Sequence, residues 1–468
     1  MPFKKALITN MSDEGTYDTN IASEVGLTSL KAMLSDHGCT KIFVKELAPN
    51  DNSKNQIYLG GSFDSLIQIP IGEWTRVQPR SRKNSIKNSS VLLQNHIPFS
   101  WVLPDGEVRS APRAKLIYYP QYPEVRFSGF LLGSGINASQ WMAPERAGRS
   151  EGRFLVWGIR PGKKSFGYLA VPGSRLQREL SCTLVNPSTE KCGVLTSLVK
   201  STSQADKAVL LENIRSIIAS NPHFGQQLDA LAGVPFPYSA SNAGGMTLEA
   251  LFGIPPNGDA KPDFRSWELK GHSQSVITLL TPEPDNGFYV EEGVEKFVRR
   301  FGYPDKKGRP NRLNFGGIHK SGVFHPTTGL TLALEGAVLG GANTKFNADG
   351  YLGLVDPKGV VAASWSFEKL LNHWTKKHTN TAFIRFEKLK NVEPNCFAYL
   401  SPVHLGEGTS FTRFLNSVAS GEIYYDPGIK LYTDKATNRS KRRSQFRVAE
   451  KNLSNLYEKY STIKLDGY

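Results

Sequence analysis

Through much of the first 200 residues apolar and polar positions alternate with period two. Runs at 41–45, 65–70, 116–119, 125–131, 153–158 and 167–172 each read as a short strand, and Gly, Pro, Asn and Asp punctuate the intervals. A helix is expected ahead of them, near 21–34. The period changes after the polar break at 201–204. Ala208, Leu211, Ile214, Ile217 and Ile218 fall on one side of a helix, and so do Val290, Val294, Phe297, Val298 and Phe301. A Gly/Ser/Ala loop at 238–245 leads into Thr247-Leu248-Glu249-Ala250-Leu251-Phe252. Runs at 330–334, 351–355 and 360–365 read as a strand meander. The pattern therefore divides the chain into a mostly β, barrel-like part (1–200) and a mixed α/β part (205–468), each with enough apolar positions for its own core.

Composition narrows the class. Of 468 residues 39% are hydrophobic and 21% charged, which excludes a disordered chain, a collagen and a coiled coil. No apolar run approaches the roughly 18–20 residues of a membrane span, and Ala6-Leu7-Ile8 is too short for a signal-peptide core. Cys39, Cys182, Cys192 and Cys396 are too scattered for a disulfide framework or a zinc pair, so a reduced prokaryotic cytoplasm is expected. Fifty-seven Lys and Arg against 42 Asp and Glu leave a formal charge of +15, which favours a polyanionic partner over a membrane.

The densest chemistry lies in Pro262-Asp263-Phe264-Arg265-Ser266-Trp267-Glu268-Leu269-Lys270. Read as a hairpin, it puts Glu268 and Lys270 on the same face of one strand, with Asp263 approaching from the other arm. Two carboxylates and an ammonium at one point suit metal-dependent phosphodiester hydrolysis. Asp263 and Glu268 supply hard oxygens to Mg²⁺, and Lys270 orients or deprotonates a water. The same three residue types within eight positions also occur as ordinary exposed strand charges. Glu249, one helix upstream, is either a further carboxylate of the site or a solvated helix-face group. Gly271-His272-Ser273-Gln274-Ser275 imitates a serine-hydrolase elbow but lacks its second glycine.

With these residues in place, the part from about 205 to 468 resembles the MvaI/BcnI family of restriction endonucleases, relatives of the mismatch-repair nickase MutH with the PD-(D/E)xK fold. The likeness is carried, in order, by Gly-Gly-Met-Thr-Leu-Glu-Ala-Leu at 244–251, Pro262-Asp263-Phe264, and Trp267-Glu268-Leu269-Lys270. Leu279-Leu280-Thr281 comes next, then the 290–302 helix with Tyr303, Trp-Ser-Phe-Glu-Lys-Leu at 365–370, and Arg-Arg-Ser-Gln-Phe-Arg-Val at 442–448. The resemblance implies a Mg²⁺-dependent enzyme that hydrolyses double-stranded DNA at a short site, acting as a monomer on one strand at a time. Asp263, Glu268 and Lys270 fall on the family's catalytic positions, and Arg447 on a base-reading arginine. The family tends to place histidine or arginine just upstream; here Arg442 and Arg443 stand there, and no histidine.

Between Lys430 and Lys451 eight basic residues face only Asp434 and Glu450. Arg443 and Arg447 are assigned to bases, since arginine can donate two hydrogen bonds to guanine. Arg442, Lys435 and Lys441 are assigned to phosphates. His272 either contacts DNA or is a packed histidine. In the N-terminal part, Leu47-Ala48-Pro49-Asn50-Asp51, Ile67-Gln68-Ile69-Pro70, residues 114–119 and Val125-Arg126-Phe127 resemble the effector domain of EcoRII, a DNA-binding pseudobarrel. Arg76, Arg80 and Arg82 lie in an acid-free segment, 74–87, that suits either a phosphate-contacting loop or an ordinary basic surface. The expectation is a restriction endonuclease whose N-terminal part binds DNA, as an effector with a second DNA copy. The alternatives are a non-cleaving DNA-binding regulator and a MutH-like repair nickase.

Overall fold

The strand Lys41–Leu47 pairs antiparallel with Arg153–Arg160 along its whole length, Lys41 opposite Ile159 and Leu47 opposite Arg153. Around this pair the computed structural model builds a seven-stranded sheet, and beside it a five-stranded one from Gln56–Tyr58, Thr75–Val77, Leu92–His96, Lys115–Tyr119 and Glu124–Ser128. The structure describes residues 19–465 apart from 50–54, 62–65, 67–68, 79–90, 137, 143–150, 161, 163, 186–190, 199–201, 257–261 and 434–438. Among the described residues both sheets are open in strand order. The helices Leu27–Asp36 and Arg175–Leu184 cover one face of the larger sheet through Leu30, Leu34, Leu176 and Leu180.

Three expectations are corrected here. The helix near 21–34 is two helices, Thr19–Glu24 and Leu27–Asp36. They part at Val25-Gly26, and a Cβ at Gly26 would meet the Arg175 guanidinium, 2.9 Å from Nε. The strand at 65–70 is not one where it is described: Ile69 N–H closes a turn on Leu66 O at 3.0 Å, and both side chains are buried. The 290–301 helix breaks into Phe288–Glu291 and Gly293–Phe301 at Gly293, whose φ of +83° does not belong to a right-handed helix.

In the C-terminal part the central strand is Asn380–Lys388. It pairs parallel with Glu268–His272, Glu268 opposite Thr381, and antiparallel with Val403–Glu407, which pairs in turn with Lys459–Ile463. The helices Thr202–Ala219 and Ala243–Leu251 pack on this sheet through Leu210, Ile214, Ala243 and Leu248. A second group of strands lies beyond it. Phe446–Ala449 runs between Val276–Leu280 and Ile423–Tyr425, and a four-stranded meander ends in Val361–Ser366. The Ser366 hydroxyl accepts from Lys369 N–H and caps the helix Phe367–Lys377.

The two parts share one apolar core, in which Trp74 and Tyr118 of the first join Phe346, Phe367 and Trp374 of the second. The Tyr118 and Phe346 rings are 5.6 Å apart.

Candidate active site

The segment 262–272 is a tight turn running into a strand, not a hairpin of two long arms. Phe264 and Trp267 exchange backbone hydrogen bonds of 2.9 and 2.8 Å around Arg265-Ser266. Arg265 takes φ +54°, uncommon for a residue with a side chain, and its guanidinium is held by Asp206 at 2.7 Å. This turn folds Asp263 back over the strand, where its Oδ2 accepts Leu269 N–H at 3.0 Å.

Alternation along Glu268–His272 then places Glu268 and Lys270 side by side. Lys270 Nζ donates to Glu268 Oε1 at 2.6 Å, and Glu268 is only 1% exposed. Its second oxygen, Oε2, is buried and meets no hydrogen-bond partner among the described residues. A buried carboxylate oxygen without a donor is costly unless a cation or an ordered water faces it. Lys377, at the end of the helix Phe367–Lys377, brings a second ammonium to within 3.7 Å of Glu268 Oε1.

Glu249 reaches the same cluster from the helix Ala243–Leu251. That helix lies close because Gly244 faces Phe386: a Cβ there would be 2.2 Å from the ring. Tyr399 Oη donates to Gly244 O at 2.7 Å and fixes the approach. Burial raises the Glu249 carboxyl to about 7, and the Asp263 charge adds to it against Lys270. Burial, then the Glu268 charge, raises Asp263 to about 6, opposed by Leu269 N–H and Lys270. For Lys270 burial disfavours the ammonium, but Glu268 outweighs it and the group stays charged. Burial is the largest cause of both shifts; neighbouring carboxylates add to it, and Lys270 and Lys377 oppose it.

The other candidate residues are spread more widely. His272 is 5% exposed, and its Nδ1 donates to Gln274 O at 3.0 Å, so the packed alternative describes it. Arg447, opposite Thr278 and Tyr424 on neighbouring strands, is bound to Asp426 Oδ2 at 2.7 Å. Arg442, Arg443 and Lys441 are exposed, and Lys441 sits opposite Lys430 across a strand pair. Arg76 meets two carboxylates of the C-terminal part, Glu368 at 2.7 Å and Asp349 at 3.6 Å. Arg80, Arg82 and Lys435 lie outside the described residues. Two residues were invisible to sequence reasoning. Lys377 reads as an ordinary basic residue at a helix C-terminus, and Asp426 lies far along the chain from the arginine it holds.

A helix-flanked sheet with Glu268 and Lys270 on one edge strand and Asp263 folded back over it from the preceding turn is a restriction-endonuclease-like fold, and the class it defines is a DNA-cleaving hydrolase. The chain belongs to the MvaI/BcnI restriction endonuclease family, whose model matches residues 197–457. Among solved structures it is similar to restriction endonuclease MvaI with its cognate DNA substrate, at 19% identity and a TM-score of 0.41, covering 56% of this chain and 99% of that one. It is also similar to MvaI in the absence of DNA, at 16% identity and a TM-score of 0.32, covering 57% and 100%. No curated protein matches the chain. The family match begins at residue 197, so the EcoRII likeness rests on the sequence blocks alone. No helix among the described residues is long and apolar enough to cross a membrane.

Proposed function

We propose that the protein is a Mg²⁺-dependent, site-specific endonuclease that cuts duplex DNA one strand at a time as a monomer. Asp263 and Glu268 would hold the metal, and Lys270 would serve the attacking water. The observation that carries this reading is the buried Glu268 carboxylate, with one oxygen bound by Lys270 and the other without a partner among the described residues.

The residues suit a hard divalent cation. No group of three His, Cys, Asp or Glu side chains is gathered tightly enough to hold a metal alone among the described residues. Mg²⁺ needs only one or two carboxylates, since it keeps several waters. Leu269 N–H fixes one oxygen of Asp263, which leaves the other for the cation. The bound ion supplies charge neutralisation at the phosphate and a more acidic water.

The rest is done by the chain. Lys270, pinned by Glu268, holds a positive charge where the phosphate oxygens arrive. Lys377 adds a second charge from the opposite element. Glu249, raised to about 7, can take a proton from a water near neutral pH. Arg447 and Arg443 read bases, Arg442, Lys441 and Lys435 hold phosphates, and residues 1–200 form a DNA-binding effector domain ahead of the nuclease domain at 205–468.

The test is digestion of duplex DNA by the pure protein, with Mg²⁺ and with excess EDTA, and then sequencing of the ends. Discrete ends only with Mg²⁺ are expected. Binding without cleavage would favour the regulator, and nicks that need a partner protein would favour the repair enzyme.

A further inference from the structure

We infer that Asn372 is a positioning residue for the catalytic centre, and that the N-terminal part sets the reach of Lys377 by gripping it. This rests on the nuclease reading above.

The helix Phe367–Lys377 touches both places. Near its start Glu368 receives Arg76 Nε at 2.7 Å. One turn on, Asn372 makes a two-way bond with the backbone of Trp74: Trp74 N–H donates to Oδ1 at 2.8 Å, and Nδ2 donates to Trp74 O at 3.0 Å. A side-chain amide that closes on both backbone groups of one residue fixes where that residue sits. Trp74 is 1% exposed and packs edge-on to Tyr118 at 5.9 Å, so the grip is rooted in the N-terminal core.

At its end the helix delivers Lys377 to Glu268 at 3.7 Å. The chain is held just beyond this point as well. Trp374 stacks on His378 at 4.4 Å, and the buried His378 donates from Nε2 to Leu279 O at 3.1 Å. The chain then enters Asn380–Lys388, whose Thr381 lies opposite Glu268 itself. Asn372 is five residues before Lys377, about 7.5 Å along a helix rising about 1.5 Å per residue, so the grip and the Trp374–His378 contact together set where the ammonium sits. Lys377 is partly exposed, and among the described residues its ammonium pairs with Glu268, so its position depends on where the helix is held. Cleavage is sensitive to such placement: a shift of about 1 Å can cost on the order of a hundredfold.

The experiment uses the full-length protein and single-turnover cleavage of cognate duplex in Mg²⁺. Asn372→Ala is expected to lower the rate of the chemical step about tenfold and to leave duplex affinity in Ca²⁺ unchanged. In a Lys377→Ala background the same substitution is expected to cost little more, because the group it positions is gone. Additive losses, or a loss of affinity with an unchanged rate, would overturn the inference. So would a Lys377→Ala protein that cuts at the full rate.

Should Asn372→Ala fold poorly by thermal melting, the surface pair decides instead. Arg76→Glu is expected to slow cleavage and the Arg76→Glu/Glu368→Arg exchange to restore it; no restoration sinks the inference. If Lys377→Ala cuts too slowly to measure, the same exchange decides. A wild-type protein that does not cleave DNA defeats the nuclease reading, whereas cleavage indifferent to Asn372 and Arg76 defeats only this one.

Discussion

Lys270 and Lys377 converge on the same atom: their ammonium groups lie 2.6 and 3.7 Å from Glu268 Oε1. One comes from the strand that carries Glu268, the other from a helix more than 100 positions away in the sequence. The shared oxygen is neutralised from two sides, and the buried Oε2 has no hydrogen-bond donor among the described residues.

The first prediction is that Glu268→Gln and Asp263→Asn each abolish cleavage and leave duplex binding intact. Glutamine keeps the volume at 268 but puts a neutral amide where the cation should sit. Isothermal titration with Mg²⁺ should show lost or much weakened binding in both variants. Cleavage at the wild-type rate by either would remove these residues from the metal site.

The two lysines should separate by severity. Lys270 is bound to Glu268 at short range, so Lys270→Met should cost the larger factor, about a thousandfold or more in single-turnover rate. Lys377→Met, lacking the weaker second contact, should cost about ten- to a hundredfold. Measuring both under the same conditions checks the order; the reverse order would give Lys377 the primary role.

Much of this centre could be read in the sequence, because Glu268 and Lys270 are two apart on one strand and the pleat alone places them together. Asp263 was legible as a partner but not as to route: a single residue at positive φ, Arg265, folds it back. Lys377 was not legible, since only the parallel pairing of Glu268–His272 with Asn380–Lys388 brings the two elements together. The strand expected at 65–70 failed because Leu66 and Ile69 bury the same apolar atoms from a turn. The joint core of the two parts was also hidden, since no local period records which apolar face meets which.

Arg447 gives a third prediction. Its guanidinium is bound to Asp426, which orients it and limits its freedom. If Arg447 reads guanine, Arg447→Ala should cost about 1–3 kcal/mol of discrimination at one base pair. Asp426→Asn should relax the same base pair by a smaller amount, while Lys441→Ala should weaken all sequences alike. Competition binding against single-substituted duplexes distinguishes these outcomes, and an Arg447→Ala protein with unaltered preference would make Arg447 a structural ion-pair residue.

The buried histidines should contribute less stability in mild acid. His319 is wholly buried, donates from Nδ1 to Gly317 O at 2.9 Å, and accepts at Nε2 from the Thr328 hydroxyl. Burial, then His325, depresses it to about 4. His378 is depressed in the same direction, chiefly by burial. Below the unfolded value of about 6.5 the unfolded chain binds the proton and the folded chain does not, so stability is lost as pH falls from 6.5 towards 4. The gap of about 2.5 units at His319 corresponds to about 3 kcal/mol at the acid end. The stability difference between the wild type and His319→Gln, from urea midpoints at pH 7.5 and at 4.5, should shift against the wild type at the lower pH; an unchanged difference would refute the assignment.

The last prediction concerns separating the two parts. The strand pattern alone suggests that 205–468 would fold and cut by itself, but the packing argues otherwise. Removing residues 1–200 uncovers Phe346, whose ring packs against Tyr118, and leaves Asn372 without the Trp74 backbone. It also strips Arg76 from Glu368 and Asp349. Exposing one large aromatic side chain costs about 1.5–3 kcal/mol, a large share of a net stability of about 5–15 kcal/mol. The fragment should therefore melt at lower temperature than the full chain, aggregate more readily and cleave more slowly. Adding residues 1–200 in trans should recover part of each property, since the lost contacts are non-covalent. Thermal melting and cleavage by the fragment, alone and with its complement, check this. A fragment as stable and as fast as the intact protein would show that the shared core is dispensable to the nuclease.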